Sequence, residues 1–153
     1  MYGQVMTRPT HLFFYGILQE GFGPDGGDWP FLAGLGMGAP ATTTGALYAI
    51  PVAGGEGATG WFPALVLTQA RYSTVVHGMI HDAGEVDLAA VDAFEGAEYT
   101  RQPVPVDGWD GFGETLADAY VWTADLPDGA EPIASGNFAE WLAQTGRRPW
   151  SGE

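Results

Sequence analysis

Glycine and proline, 24 and 11 of the 153 residues, fall so often along this chain that short strands joined by turns suit it better than long helices. The intervening runs are apolar, β-branched and aromatic. A first strand is expected from Thr10 to Tyr15, breaking at Gly16 into a long loop that reaches Trp29. "ATTTGALYAI", "GWFPALVLT" and "STVVHGMIHD" each read as strand, the last with a mid-strand glycine that suggests a bulge or a close backbone approach. "EYTRQPVPV" and "TLADAYVW" return to strand after a helix.

Three helices are expected. "DWPFLAGLG" suggests a short one with Asp28 as N-cap and Gly34 or Gly36 ending it. "EVDLAAVDAFEG" is the clearest. "SGNFAEWLAQTG" closes the pattern, with Asn137 as cap, Glu140 completing an Asn-x-x-Glu box, and Phe138, Trp141 and Leu142 as the apolar stripe. Without repeats or a linker, the chain is read over residues 1–153 as one α+β domain, a mostly antiparallel or mixed sheet curled toward a barrel with helices packed on it.

Composition narrows the function classes. A hydrophobic content of 46% argues for a folded globule and against disorder. No apolar run approaches the ~20 residues that span a bilayer, and no basic-then-apolar leader is visible, so the cytoplasm is the expected compartment. With no Cys, thiol nucleophiles, disulfides and thiolate metal sites are excluded. The net charge of -14 would repel phosphate backbones, so no nucleic-acid partner is expected. All five basic residues are Arg, which excludes Schiff-base chemistry and a P-loop lysine. The acidity itself reads as solubility or a salty or high-GC source.

Several local patterns fail on inspection. Gly21, Gly23 and Gly26 match G-x-G-x-x-G, but Pro24, Asp25 and Gly26 make a turn where a dinucleotide fold needs a helix to open. His77 and His81 share a strand face but lie too far apart for one tetrahedral metal. No G-x-S-x-G occurs, and Asp25 and Asp28 lack calcium-loop spacing.

One charge stands in an unusual place. At 100° per residue, Leu88, Val91 and Phe94 define the buried face of their helix, and Glu95 falls between Leu88 and Val91. It also occupies the last turn, before the stop at Gly96. There burial and the helix macrodipole both disfavour an anion and push its pKa up, toward what a general acid or base needs near neutrality. The structural alternative is a rim carboxylate tied to Arg101 or a backbone amide.

Five pieces in order resemble the γ-glutamylcyclotransferase superfamily, in its AIG2-like group. They are Tyr15-Gly16-Ile17-Leu18, "GALY" from Gly45, "FPALVL", "VVHGMIHD", and "VDAFEGAEYTRQPVPV" with its Asp92, Glu95, Gly96, Tyr99 and Arg101. Ile17 departs from the small hydroxyl residue usual at its place. The resemblance implies a small mixed β-barrel with peripheral helices and a pocket beside the first turn. It implies Glu95 as catalytic acid/base, acting on a small γ-glutamyl substrate whose own α-amine attacks its γ-carbonyl and releases 5-oxoproline. Such a reaction requires no cofactor or metal.

In that frame the amides of Gly16, Ile17 and Leu18 would form an anion-holding nest, or else a plain strand-ending turn. Tyr15 and Tyr99 would be pocket walls, hydrogen-bond donors or aromatic core. Arg101 would orient Glu95 or brace its strand, and the acidic loop from Glu20 to Asp28 would be a lid or a surface loop. Two rivals share the fold: a non-catalytic module binding a small carboxylate, and an amidohydrolase in which Glu95 activates water. Oligomeric state is left open.

Overall fold

The computed structural model describes residues 9–19, 27, 29–53, 58–67, 73–108 and 114–150. Its strands are β1 (His11–Phe14), β2 (Gly38–Ala53), β3 (Ala58–Val66), β4 (Thr74–Asp82), β5 (Tyr99–Gly108), β6 (Glu114–Trp122) and β7 (Glu131–Pro132). Its α-helices are α1 (Leu88–Glu95) and α2 (Phe138–Thr145), with a single 3-10 turn at Pro30–Leu32. The mixed α+β class expected from the sequence is the class observed. Among the described residues no helix is long and apolar enough to cross a membrane.

The seven strands form one sheet in the order β1-β4-β2-β3-β6-β5, with β7 on β2. Additional pairings, β1 with β6 and β2 with β5, curl the sheet into a ring. The long strand β2 makes the curl possible by changing partners. Residues 38–45 pair with β4 and residues 46–53 with β3. The change falls at Gly45, where a Cβ would lie 2.6 Å from Leu65 Cδ1 and 3.2 Å from Val66 O, so the glycine eases the close approach of the strands at that corner. Two parallel contacts, Leu12 with Asp118 and Leu65 with Val121, make the sheet mixed.

Burial follows the sequence pattern. In β5, Val104 and Val106 are buried while Pro103, Pro105 and Asp107 face out, the period-two signature of a half-buried strand. By contrast β1 is covered on both faces: Leu12, Phe13 and Phe14 are all buried. Gly78 opens space for this strand, since a Cβ there would collide with Phe14 O and meet Phe13 Cζ at 2.8 Å. The mid-strand glycine therefore marks a close approach; the β4 register runs through it without a bulge.

Some local expectations are corrected. The "DWPFLAGLG" segment forms one 3-10 turn, entered through Trp29 and followed by Gly34 at φ 89°. Gly34 and Gly36 cut the run short after Pro30, which leaves no room for an α-helix. Asp28, Asp25, the G-x-G-x-x-G glycines and most of the Glu20 to Asp28 loop lie outside the described residues. At α2 the Asn137 side chain accepts from Glu140 N at 3.0 Å, but the capping box is not reciprocal. The Asn137 amide donates to Ser135 Oγ, and the Glu140 carboxylate accepts from Gln144 one turn on. The short strand β7 carries no alternation that a sequence reading could register.

Candidate active site

Helix α1 is short, and both ends are fixed locally. Asp87 caps it by accepting from Ala90 N at 3.2 Å, and Gly96, at φ 89°, ends it while its amide donates to Asp92 O. Val91 is fully buried, and Leu88 and Phe94 pack against the same core. That face carries Glu95 inward, as the helical wheel requires.

The Glu95 carboxylate enters a cavity of about 360 Å³. Tyr15, Gly16, Ile17, Leu18 and Tyr99 line the same cavity, so every candidate site residue read from the sequence meets in one place. Burial pushes the Glu95 carboxyl up to about 8. Among the described residues its carboxylate takes no hydrogen bond, and no cation offsets that burial.

Of the two roles open to Arg101, orienting Glu95 or bracing its strand, the structure shows the brace. Arg101 Nε donates to Asp92 Oδ1 at 2.9 Å and Nη1 to Asp118 Oδ2 at 2.7 Å, so this guanidinium braces β5 against α1 and β6. Tyr120 adds to the brace, its hydroxyl donating to Asp92 Oδ1 at 2.6 Å. Burial raises the Asp92 carboxyl, but the bonds from Arg101 and Tyr120 together outweigh it and hold its pKa below the ordinary value. Two carboxylates three residues apart on one helix thus differ in kind. Asp92 is bound and ionised; Glu95 is withdrawn and unpaired.

The turn after β1 is closed by Gln19 N donating to Gly16 O at 2.9 Å. This bond uses none of the amides of Gly16, Ile17 and Leu18. The Trp29 indole holds the turn from behind, donating from Nε1 to Ile17 O at 2.7 Å. What Gly16 admits is Pro63 of β3: a Cβ at Gly16 would collide with Pro63 Cγ. The side chains of Ile17 and Leu18 are buried, so the departure at Ile17 replaces a hydroxyl with core volume and leaves the backbone arrangement intact.

Neither tyrosine has a hydroxyl to offer. Tyr15 donates to Tyr120 O and accepts from Leu65 N at 3.0 Å, and Tyr99 donates to Pro63 O at 2.7 Å. Burial, with the nearby Glu95 charge as a lesser cause, raises the pKa of Tyr15 well above its ordinary value; burial does the same for Tyr99. Both are walls. The sequence reading missed the rest of the lining, including Phe62, Pro63, Phe94, Tyr120, Trp122 and Trp150. Phe62 and Pro63 sat in a segment read as strand, whose alternation could have placed them. Trp150 gave no local signal at all.

His81 hydrogen-bonds Gly36 O at 3.0 Å, and His77 is exposed on the same strand. Among the described residues no group of three or more His, Cys, Asp or Glu is placed to hold a metal ion.

Comparison with known proteins agrees with this fold. The chain is similar in structure to YkqA of Bacillus subtilis, at 21% identity and TM-score 0.63, covering 91% of this chain and 43% of that one. It therefore spans less than half the length of YkqA. An AIG2-like protein of Mus musculus matches at 20% identity and TM-score 0.56, covering 94% and 97%. Allophanate hydrolase of Kluyveromyces lactis matches at 12% identity and TM-score 0.63, covering 90% of this chain and 22% of that one. At these identities the likeness concerns the fold. No curated protein matches the chain. The family model described as gamma-glutamyl cyclotransferase, AIG2-like, matches residues 12–141, a stretch that carries the first turn, Glu95 and Tyr99 together, and the chain belongs to that family.

Proposed function

We propose that this protein is a γ-glutamyl cyclotransferase in which Glu95 moves the protons. The observation that carries the reading is a carboxyl raised to about 8, without a hydrogen-bond partner among the described residues, in a cavity that also holds the Gly16–Leu18 turn. The substrate α-ammonium is a weak acid, and a carboxyl raised to about 8 lies far closer to it than an ordinary glutamate does, which lowers the cost of passing a proton between them.

The substrate supplies its own nucleophile. Glu95 takes a proton from the α-ammonium, the freed amine attacks the γ-carbonyl carbon, and a C–N bond forms within a five-membered ring. Glu95 then returns the proton to the leaving nitrogen as the original C–N bond breaks, and the second proton on the ring nitrogen passes to the departing amine, giving 5-oxoproline and an ammonium product. Holding the chain folded back supplies an effective molarity of about 10⁵–10⁸ M. The amides of Gly16, Ile17 and Leu18 hold the substrate α-carboxylate or the developing oxyanion. Tyr15 and Tyr99, with their hydroxyls engaged elsewhere, shape the walls.

The test is release of 5-oxoproline by the purified protein from glutathione, γ-glutamyl amino acids and γ-glutamyl-ε-lysine, with Glu95→Gln beside it. Product that disappears in the variant is the expected result. Glutamate in place of 5-oxoproline would mean that Glu95 activates water, and unchanged turnover by Glu95→Gln would remove it from the chemistry.

A further inference from the structure

In the proposed reaction the γ-glutamyl half of the substrate takes the turn from Gly16 to Leu18, and the described lining offers no cation as a seat for a second carboxylate. Of the described arginines and histidines, none lines the cavity. Arg101 is held between Asp92 and Asp118, and Arg147 pairs with Glu131 at 2.6 Å while lying 4.3 Å over the Trp61 ring. The charged residues in the lining are Glu95 and Glu98, both acidic.

The remaining wall is built from rings. Tyr99 meets Trp122 edge-on at 5.1 Å and 88°, and Phe62 lies 6.1 Å from Trp122. Phe94, the neighbour of Glu95 on α1, packs 5.6 Å from Trp150. A carboxylate on the leaving amine would lose its hydration here with no cation to replace it, and would face Glu98. An aryl group would bury apolar area and find ring partners at ordinary stacking and edge distances.

Resting on the cyclotransferase reading, we propose that the leaving group is an amine bearing an aromatic body and no carboxylate, so that the substrate is the γ-glutamyl conjugate of an arylalkylamine. Bonds and protons balance as in the reaction above; only the identity of the departing amine is specified. Trp150 lies beyond residues 12–141, the stretch that matches the family model.

The experiment compares 5-oxoproline release from γ-glutamyl-phenethylamine and γ-glutamyl-phenylalanine, which differ by one carboxylate, with γ-glutamyl-methylamine and glutathione alongside. A kcat/KM at least about tenfold higher for the phenethylamine conjugate is expected, a difference of ~1.4 kcal/mol in transition-state binding. Trp150→Ala should lower the ratio of kcat/KM for the phenethylamine conjugate to that for γ-glutamyl-methylamine by about tenfold, because the aryl group loses a ring partner that the methyl group never had. Glu98→Gln should narrow the gap between the two aromatic conjugates. Turnover that is equal for the two, or higher for the carboxylate-bearing one, overturns the inference and leaves the reaction standing. No 5-oxoproline from any conjugate, with well-folded protein, overturns both.

Discussion

The hydroxyl of Tyr15 joins three strands: it donates to the backbone carbonyl of Tyr120 in β6 and accepts from the amide of Leu65 in β3, while Tyr15 itself follows β1. Tyr120 continues the chain of bonds outward to Asp92 on α1, at 2.6 Å. The residue beside the first turn and the helix that carries Glu95 are thereby tied through one residue of β6.

Tyr15→Phe should therefore act mainly on stability. It leaves a buried carbonyl and a buried amide without their partner, costing about 1–3 kcal/mol for each group left unsatisfied. Urea unfolding measures the loss, and kcat in the folded fraction should fall less than tenfold. A fall of several hundredfold with stability intact would instead make the Tyr15 hydroxyl a proton donor to the reaction.

Gly16→Ala should destabilise the fold by about 1–3 kcal/mol through overpacking against Pro63. Pro63→Ala alone should cost little beyond its own packing, and the double variant should recover part of the Gly16→Ala loss. A double-mutant cycle that shows simple additivity would sink this account of the glycine.

Arg101→Met leaves Asp92 and Asp118 facing each other without their shared cation. A loss of about 1–2 kcal/mol is expected, between the values for an exposed and a buried pair, because water reaches much of Asp92. Because Arg101 is absent from the cavity lining, KM should change little while thermal stability drops. Unaltered stability accompanied by a sharp rise in KM would place Arg101 against substrate.

The raised Glu95 carboxyl has a pH signature in stability. Its pKa is about 8 in the folded protein against 4.5 for an ordinary glutamate, so the folded state holds one more proton across that interval. Its contribution is fully present below pH 4.5 and is lost as pH rises through about 8. Glu95→Gln does not titrate. It should match the parent protein near pH 4.5 and exceed it by up to roughly 3 kcal/mol at pH 7. A stability difference that stays flat from pH 4.5 to 8 would show that the carboxyl titrates normally.

The same group governs the rate. If Glu95 must be ionised to accept the ammonium proton, kcat/KM climbs about tenfold per pH unit below neutrality and bends near pH 8. A substrate whose α-amine has a lowered pKa keeps the enzyme limb and shifts its own. A profile that falls on going from pH 6 to 8 is the opposite of the expected sign.

The sequence alone determined the six longer strands, the two α-helices, the mixed α+β class and the inward direction of Glu95. These follow from periodicities of two and 3.6 residues and from local caps, which act over a few positions and need no distant partner. The 3-10 turn at Pro30–Leu32 escaped because proline fixes φ without choosing between helix types. Tertiary structure decided the rest. It assigned Arg101 to Asp92 and Asp118 instead of Glu95, placed Pro63 against Gly16, engaged both tyrosine hydroxyls, and brought Trp150 to the wall of a cavity opened by residues more than fifty positions earlier. Such pairings depend on how the sheet curls and where β2 exchanges one partner for the other, and no local pattern in the chain encodes that distance.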